Sequence, residues 1–451
     1  MNYDLAVIGA GWAGFNAAVR AKELGLKVCL IEKGQIGGTC LNRGCIPTKT
    51  LIQSAKVYSL TKKSDLFGIN TVNPQINFNK IQERKEKIIQ QLRSGMQFML
   101  KGIDGSTSLT INPQASRRID FLNGEAQILS PEELKVAEQV IKTKFILIAS
   151  GSKAMEIAGL KFDGQKIISS DDILNLKEIP KSLLIIGGGV IGCEFASLFS
   201  ILGTQVSIVE LMPQLLPGTD KEVAKKLEAI FKKKAIKVNT NTDAKSVDLN
   251  NYDLVLLCIG RTPDIGNLDL DKIGVKLEKG RIIVDEYLRT PAPNIYAAGD
   301  CATKTMLAHF AAYQGRIAAE NITNPDNPRK ADNQNIPNCI FTDPEIASVG
   351  LSEENAKDKG IAIKINKFDF LGSGMARILE ETEGFVKIIS DTKTNVILGA
   401  FIIGPRATEL IGILTLAVSS RLTISQIQET IFAHPTLSES ISDTLRQGHG
   451  V

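Results

Sequence analysis

Cys40 and Cys45 stand five positions apart in GGTCLNRGCIPTK, residues 37–49. Thiols at that spacing suit three kinds of chemistry: a metal clip, a structural staple, or a dithiol that is oxidised and reduced in turn. A zinc clip takes four ligands, and no further cysteine cluster or close histidine is present, so no metal is expected. A staple across so short a loop adds little, and a reducing cytosol would not preserve it. That leaves a bond made and broken in turnover. Regular helix would carry the chain through ~7.5 Å of rise over five residues. This exceeds the ~4.4–6.8 Å between bridged Cα atoms, so the pair needs an irregular turn. Gly37, Gly38 and Gly44 give the freedom for one, and Pro47 limits helix around Ile46. A thiolate near a helix start has its pKa lowered.

The elements that would position these thiols appear in an internal repeat. DLAVIGAGWAGFNAAVRAKELGLKVCLIEK begins at Asp4, and SLLIIGGGVIGCEFASLFSILGTQVSIVEL begins at Ser182. Gly9, Gly11 and Gly14 match Gly187, Gly189 and Gly192 without a gap, and Glu32 matches Glu210. Each copy reads strand, glycine turn, helix, strand, acid. The first glycine permits the tight turn, the second lets backbone approach a pyrophosphate, and the third lets helix pack on strand. The helix N-terminus presents free N–H groups to phosphates, and the acid accepts from a ribose diol. Two dinucleotide sites are expected. Glu210 is followed by LMPQLL with no nearby Arg or Lys, which suits a free 2′-hydroxyl and so favours NAD over NADP. Two dinucleotides suggest an electron relay, with a tightly held flavin and an exchanging nicotinamide. NIYAAGDCA, residues 294–302, supports the flavin, because Asp300 follows small residues that allow close backbone approach.

The chain has 451 residues, 43% of them apolar and 23% charged, with a net charge of +4. No basic run with interleaved aromatics points to nucleic acid. No apolar run approaches the ~18 residues of a membrane span, and the N-terminus enters a strand pattern without a basic leader, so a cytoplasmic protein is expected. Cys29 and Cys258 lie in apolar strand-like runs and read as buried small hydrophobes. Ile81, Ile88, Leu92, Met96 and Met99 recur at helical spacing, a stripe for core or dimer packing. The expected fold is α/β: two Rossmann-like dinucleotide-binding domains, for FAD and NAD, plus a C-terminal α+β dimerisation domain. Residues 1–150 and 266–330 would form the FAD domain, 151–265 the inserted NAD domain, and 331–451 the interface domain. The first two sheets are expected to be parallel, with helices on both faces.

GGTCLNRGCIPTK, the two fingerprints, IGRTPD at 259–264, NIYAAGD at 294–300, IPNCIFTDPEIASVG at 336–350 and AHPTLSES at 433–440 together span nearly the whole chain. In this order they resemble the pyridine nucleotide–disulfide oxidoreductases, in particular the branch that oxidises dihydrolipoyl groups. The resemblance implies that Cys45 is the thiol near the flavin and Cys40 the one that exchanges with substrate. It places Lys49 by the flavin, paired with Glu194. It makes His434 the acid–base catalyst, oriented by Glu439, with both supplied by the other subunit of a homodimer. It further implies FAD contacts from Gly38, Thr39, Lys33, Ala126 and Ala308, and nicotinamide-side contacts from Gly260 and Arg261. The implied partner is a separate lipoyl-bearing acyltransferase or other lipoyl protein of a 2-oxo acid dehydrogenase or glycine cleavage complex. Read alone, His434 fits a structural histidine. His309 sits in a segment that lines the flavin site in the family, and His449 lies at the frayed end.

Several stretches depart from the family pattern. ASGS replaces ATGS at Ala149–Ser152, and the prolines expected after it are missing. The run 104–123 is longer and more polar, and Gln314 replaces a glutamate. Residues 246–257 are short where the family has a β meander, which suggests a trimmed NAD domain. The rival readings are a glutathione-type NADPH-dependent reductase, which needs basic residues near 210, and a flavoprotein that only binds or senses within a larger complex. Binding alone would need neither the two cysteines nor His434.

Overall fold

The computed structural model describes residues 2–101, 119–266 and 268–446. Residues 104–118 of the long polar run, and His449, lie outside the described residues. Strand β1 (Asn2–Ile8) leads through Gly9 into helix α1 (Trp12–Glu23), which returns the chain to β2 (Val28–Glu32). β1 and β2 are parallel, with Leu5 opposite Val28 and Ile8 opposite Ile31. The run Leu5–Ile8 is buried throughout. Leu5 and Val7 feed the apolar cluster on one face of the sheet, Ala6 and Ile8 the cluster on the other. A strand covered on both faces has no polar side to show, which is why this one reads as continuous apolar sequence.

Next come helices α2 (Gly38–Arg43), α3 (Cys45–Lys62) and α4 (Phe78–Lys101), then strands β3 (Asp120–Asn123), β4 (Ala126–Ser130), β5 (Glu133–Val136) and β6 (Gln139–Ile148). The sheet runs β3-β2-β1-β6-β5-β4, and 295–297 also pairs with β6. It is not wholly parallel as expected. β6 is long enough for two neighbours on one edge: its first residues pair antiparallel with β5, and Ile146–Ile148 pair parallel with Ile295–Ala297. On α4 the buried positions are Phe78, Lys85, Ile89 and Leu100, whereas Leu92 and Met99 of the anticipated stripe are exposed in the single chain.

The second repeat builds a five-stranded, all-parallel sheet. Its strands are β8 (Ile167–Ile168), β9 (Ser182–Ile186), β10 (Gln205–Val209), β11 (Lys237–Asn239) and β12 (Leu254–Leu257), in the order β11-β10-β9-β12-β8. Helices α5 (Val190–Ile201) and α6 (Lys221–Lys233) cross between its strands. Between β11 and β12 lie two single 3₁₀ turns, at Ala244–Ser246 and Leu249–Asn251, and no strand. The chain leaves the first sheet through β7 (Ser152–Ala154) and returns through β13 (Arg261–Pro263); the two pair antiparallel, so the excursion begins and ends at one point. Helix α7 (Ala308–Thr323) then packs against α1, so closely that a methyl group at Gly315 would sit 2.1 Å from the Ala13 carbonyl oxygen.

Residues 338–404 give a third, antiparallel sheet of five strands, backed by the helix Ala407–Ser419 and the final helix Glu439–Arg446. Lys387 ties this sheet to the second: its Nζ is 2.9 Å from Asp220 Oδ2, with both side chains buried. Asp220 also caps α6 by accepting from the backbone N–H of Glu222 and Val223. Among the described residues, no helix is long and apolar enough to cross a membrane.

Candidate active site

Helix α2 stops at Arg43 and α3 starts at Cys45, so the irregular turn the thiols need is a single residue, Gly44, with φ −146° and ψ −112°. The turn is tight: a methyl group at Gly44 would lie 3.0 Å from the Thr39 carbonyl oxygen and 3.3 Å from Cys40 Cα. Both cysteines are free thiols here. The neighbouring Cys40 thiol lowers the Cys45 pKa to about 7; burial opposes the shift and the Lys49 ammonium adds to it. Cys45, together with burial, holds Cys40 protonated, far above the usual thiol range. The pair is therefore a thiol beside a thiolate, with the charge on the residue that begins helix α3.

One turn along α3, Lys49 Nζ lies 2.8 Å from both carboxylate oxygens of Glu194, on the otherwise buried face of α5. Glu194 Oε1 also accepts from the Phe341 N–H at 2.9 Å, and the Lys49 ammonium stands 4.7 Å from the centre of the Phe341 ring. All three sheet units meet at this carboxylate.

The two glycine turns are built alike. Gly9 and Gly187 have positive φ, +99° and +112°, and press on the carbonyl groups of Ala149 and Cys258. Methyl groups at Gly14 and Gly192 would fall 1.9 and 2.0 Å from the carbonyl oxygens of Gly9 and Gly187. Beside Gly11 the nearest atom is 3.9 Å away, and beside Gly189 nothing lies within 4 Å, so each helix start keeps an open cradle where a diphosphate fits. Glu32 accepts from Ala10 N at 2.7 Å and Gly34 N at 2.8 Å. Glu210 accepts from Gly188 N at 2.6 Å and Met212 N at 2.7 Å. The backbone thus holds both carboxylates at the mouths of their turns.

A pocket lies against the first turn, lined in part by Gly9, Glu32, Lys33, Ala126 and Asp264. Lys33 Nζ meets Asp264 Oδ2 at 3.1 Å across it. On the far side of the turn, Arg261 Nε donates to Ser152 Oγ at 2.8 Å and Ser152 Oγ donates to Asp300 at 2.6 Å; burial raises the Asp300 pKa. Gln314, the departure from the family glutamate, accepts from the Gly299 N–H at 2.9 Å. Ala308 begins α7, Gly38 begins α2 with Thr39 beside it, and Gly260 precedes β13. His309 Nε2 lies 2.8 Å from the Pro337 carbonyl oxygen.

His434 Nδ1 lies 2.9 Å from Glu439 Oε1, and Glu439 Oε2 accepts from Thr436 N at 2.8 Å. The Thr436 N–H and then His434 hold the Glu439 carboxyl below its ordinary range. The His434 side chain is 80% exposed, and among the described residues its hydrogen bond is to Glu439, not to either cysteine. One chain therefore assembles two half-sites, the thiol pair and the histidine pair, and does not join them. Ser152 and Phe341 escaped the sequence reading. Among the described residues, no cluster of three or more His, Cys, Asp or Glu side chains is placed to hold a metal ion.

Residues 3–315 match the pyridine nucleotide-disulphide oxidoreductase family and 336–445 its dimerisation domain. The chain is 40% identical to the dihydrolipoyl dehydrogenase of Chlamydia muridarum, covering 97% of this chain and 95% of that one. It is 36% identical to a dihydrolipoyl dehydrogenase of Bacillus subtilis, over 99% and 98%. Among solved structures, it superposes on LpdA from Mycobacterium tuberculosis with a TM-score of 0.88 at 26% identity, covering 98% and 99%. It superposes on the HOCl-induced flavoprotein disulfide reductase RclA from Escherichia coli with a TM-score of 0.86 at 28% identity, over 98% and 99%.

Proposed function

We propose, for a chain that belongs to the pyridine nucleotide-disulphide oxidoreductase family, that it oxidises protein-bound dihydrolipoyl groups to lipoyl groups with NAD as acceptor. The dihydrolipoyl dehydrogenases to which it is 40% and 36% identical support this reading. So does the thiol–thiolate pair held across Gly44, the observation that carries the chemistry. Residues 1–150 and 266–330 would hold FAD, 151–265 NAD, and 331–451 the dimer contact. The FAD residues are Gly9, Gly11, Gly14, Glu32, Lys33, Gly38, Thr39, Lys49, Ala126, Asp300 and Ala308. The NAD residues are Gly187, Gly189, Gly192, Glu194, Glu210, Gly260 and Arg261. Bound FAD supplies two-electron acceptance from a thiolate and delivery of the pair to a nicotinamide.

The rest is done by side chains of this chain. His434, with Nδ1 engaged by Glu439, takes the proton of the substrate thiol at Nε2. The resulting thiolate attacks Cys40 Sγ of the oxidised pair, and Cys45 leaves as a thiolate, the state its lowered pKa favours. Lys49, fixed by Glu194, keeps a positive charge beside that sulfur. The dimerisation domain supports a homodimer, and the exposed His434 suits a site completed by the second subunit. The partner is a lipoyl protein of a 2-oxo acid dehydrogenase or glycine cleavage complex. Turnover of dihydrolipoamide with NAD, compared with glutathione disulfide and NADPH, tests the reading. Activity with the second pair alone would overturn it.

A further inference from the structure

The two nucleotide turns are built alike, yet in the relay proposed above the flavin stays while the nicotinamide exchanges. The two copies differ one residue beyond their matched acids. Glu32 is followed by Lys33, and Glu210 by Leu211. Leu211 is 69% exposed and carries no charge. Lys33 and Asp264 both line the pocket beside Glu32, and their ion pair, Nζ to Oδ2 at 3.1 Å, spans it. Asp264 directly follows β13, where Pro263 pairs with Ser152 of β7. Its N–H donates to the Gly151 carbonyl oxygen at 3.0 Å, which fixes its backbone. Its second carboxylate oxygen lies 4.0 Å from Lys153 Nζ on β7. The pair thus ties the end of β2 to the point where the chain re-enters the first sheet unit.

We infer that the Lys33–Asp264 pair is a strap across the nucleotide of the first turn, and that it slows release of the flavin. This rests on the reading above that the first turn holds FAD. The ribose of a dinucleotide lies against the acid that ends the second strand. In the first copy that place is the pocket the ion pair spans, so a nucleotide seated there leaves only when the pair separates. In the second copy the neutral Leu211 side chain closes nothing by charge. A partly exposed ion pair changes a rate by about two- to fivefold, and salt screens it.

Asp264→Asn keeps the shape of one end and removes its charge; Lys33→Met removes the other end. Replacement of bound FAD by excess isotope-labelled FAD, followed by native mass spectrometry of the holoenzyme, reads the release rate. Both variants should exchange flavin about two- to fivefold faster than the parent chain, and the double variant no faster than either. High salt should speed exchange in the parent chain more than in Asp264→Asn. If Asp264→Asn matches the parent and only Lys33→Met is faster, the lysine acts on the nucleotide alone and the strap is wrong. If the variants fail to fold, exchange in the parent chain that ignores salt overturns the strap by itself. A parent chain that retains no flavin overturns the reading beneath it; a parent that retains flavin no longer than Asp264→Asn overturns the strap alone.

Discussion

Glu32 and Glu210 close equivalent strands and hold equivalent backbone. Each accepts from the residue after its first glycine, Ala10 at 2.7 Å and Gly188 at 2.6 Å. The repeat seen in the letters is thus a repeat of hydrogen bonds, and the two nucleotide sites can be perturbed separately. Gly192→Ala puts a methyl group 2.0 Å from the Gly187 oxygen, and Gly14→Ala puts one 1.9 Å from the Gly9 oxygen. Gly192→Ala is expected to leave the protein yellow with NAD binding lost, and Gly14→Ala to give apoprotein. Flavin absorbance and NAD calorimetry distinguish the two; equal loss of both ligands in each variant would contradict separate sites.

Glu210→Gln keeps shape but weakens acceptance from a ribose diol. With about 1.4 kcal/mol lost, KM for NAD should rise about tenfold while the flavin content stays constant. An unchanged KM would remove Glu210 from the site.

Cys45 titrates near 7, so as pH falls through that value it takes up a proton and the reduced protein loses its reactive thiolate. Removing the Lys49 charge with Lys49→Met leaves Glu194 unpaired beside the thiol, and both changes disfavour the thiolate. The pH midpoint of Cys45 alkylation should therefore move upward by about one unit. A downward shift would contradict the electrostatics.

The repeat, both acids and the break at Gly44 follow from local spacing and were legible. The pairing of Lys49 with Glu194 came only from family resemblance, because no periodicity links positions 145 residues apart. The Arg261–Ser152–Asp300 chain was hidden for the same reason, since β7 and β13 meet only after the whole second sheet has been inserted. The antiparallel β5 was missed because β6 has one sequence pattern and two neighbours. Lys387, charged in sequence, is buried because Asp220, the cap of helix α6, meets it. Lys387→Met should cost about 3–5 kcal/mol by leaving the buried Asp220 charge without its ammonium, read as a lowered Tm. A Tm equal to that of the parent would contradict it.

His434→Gln removes the proton acceptor while leaving the flavin site untouched. Turnover with dihydrolipoamide should fall about 10²–10⁴-fold at constant flavin content. Glu439→Gln should lower it by less, because the ring remains and only its orientation is lost. Near-normal turnover in His434→Gln would reassign the histidine to structure.

The most direct measurement is NADH formation from dihydrolipoamide by the FAD-loaded Cys40→Ser variant beside the parent chain. If electrons enter through the Cys40–Cys45 pair, the parent forms NADH and the variant forms none while still binding FAD and NAD. A variant that forms NADH at the parental rate would show that the dithiol is bypassed, and the account would be wrong.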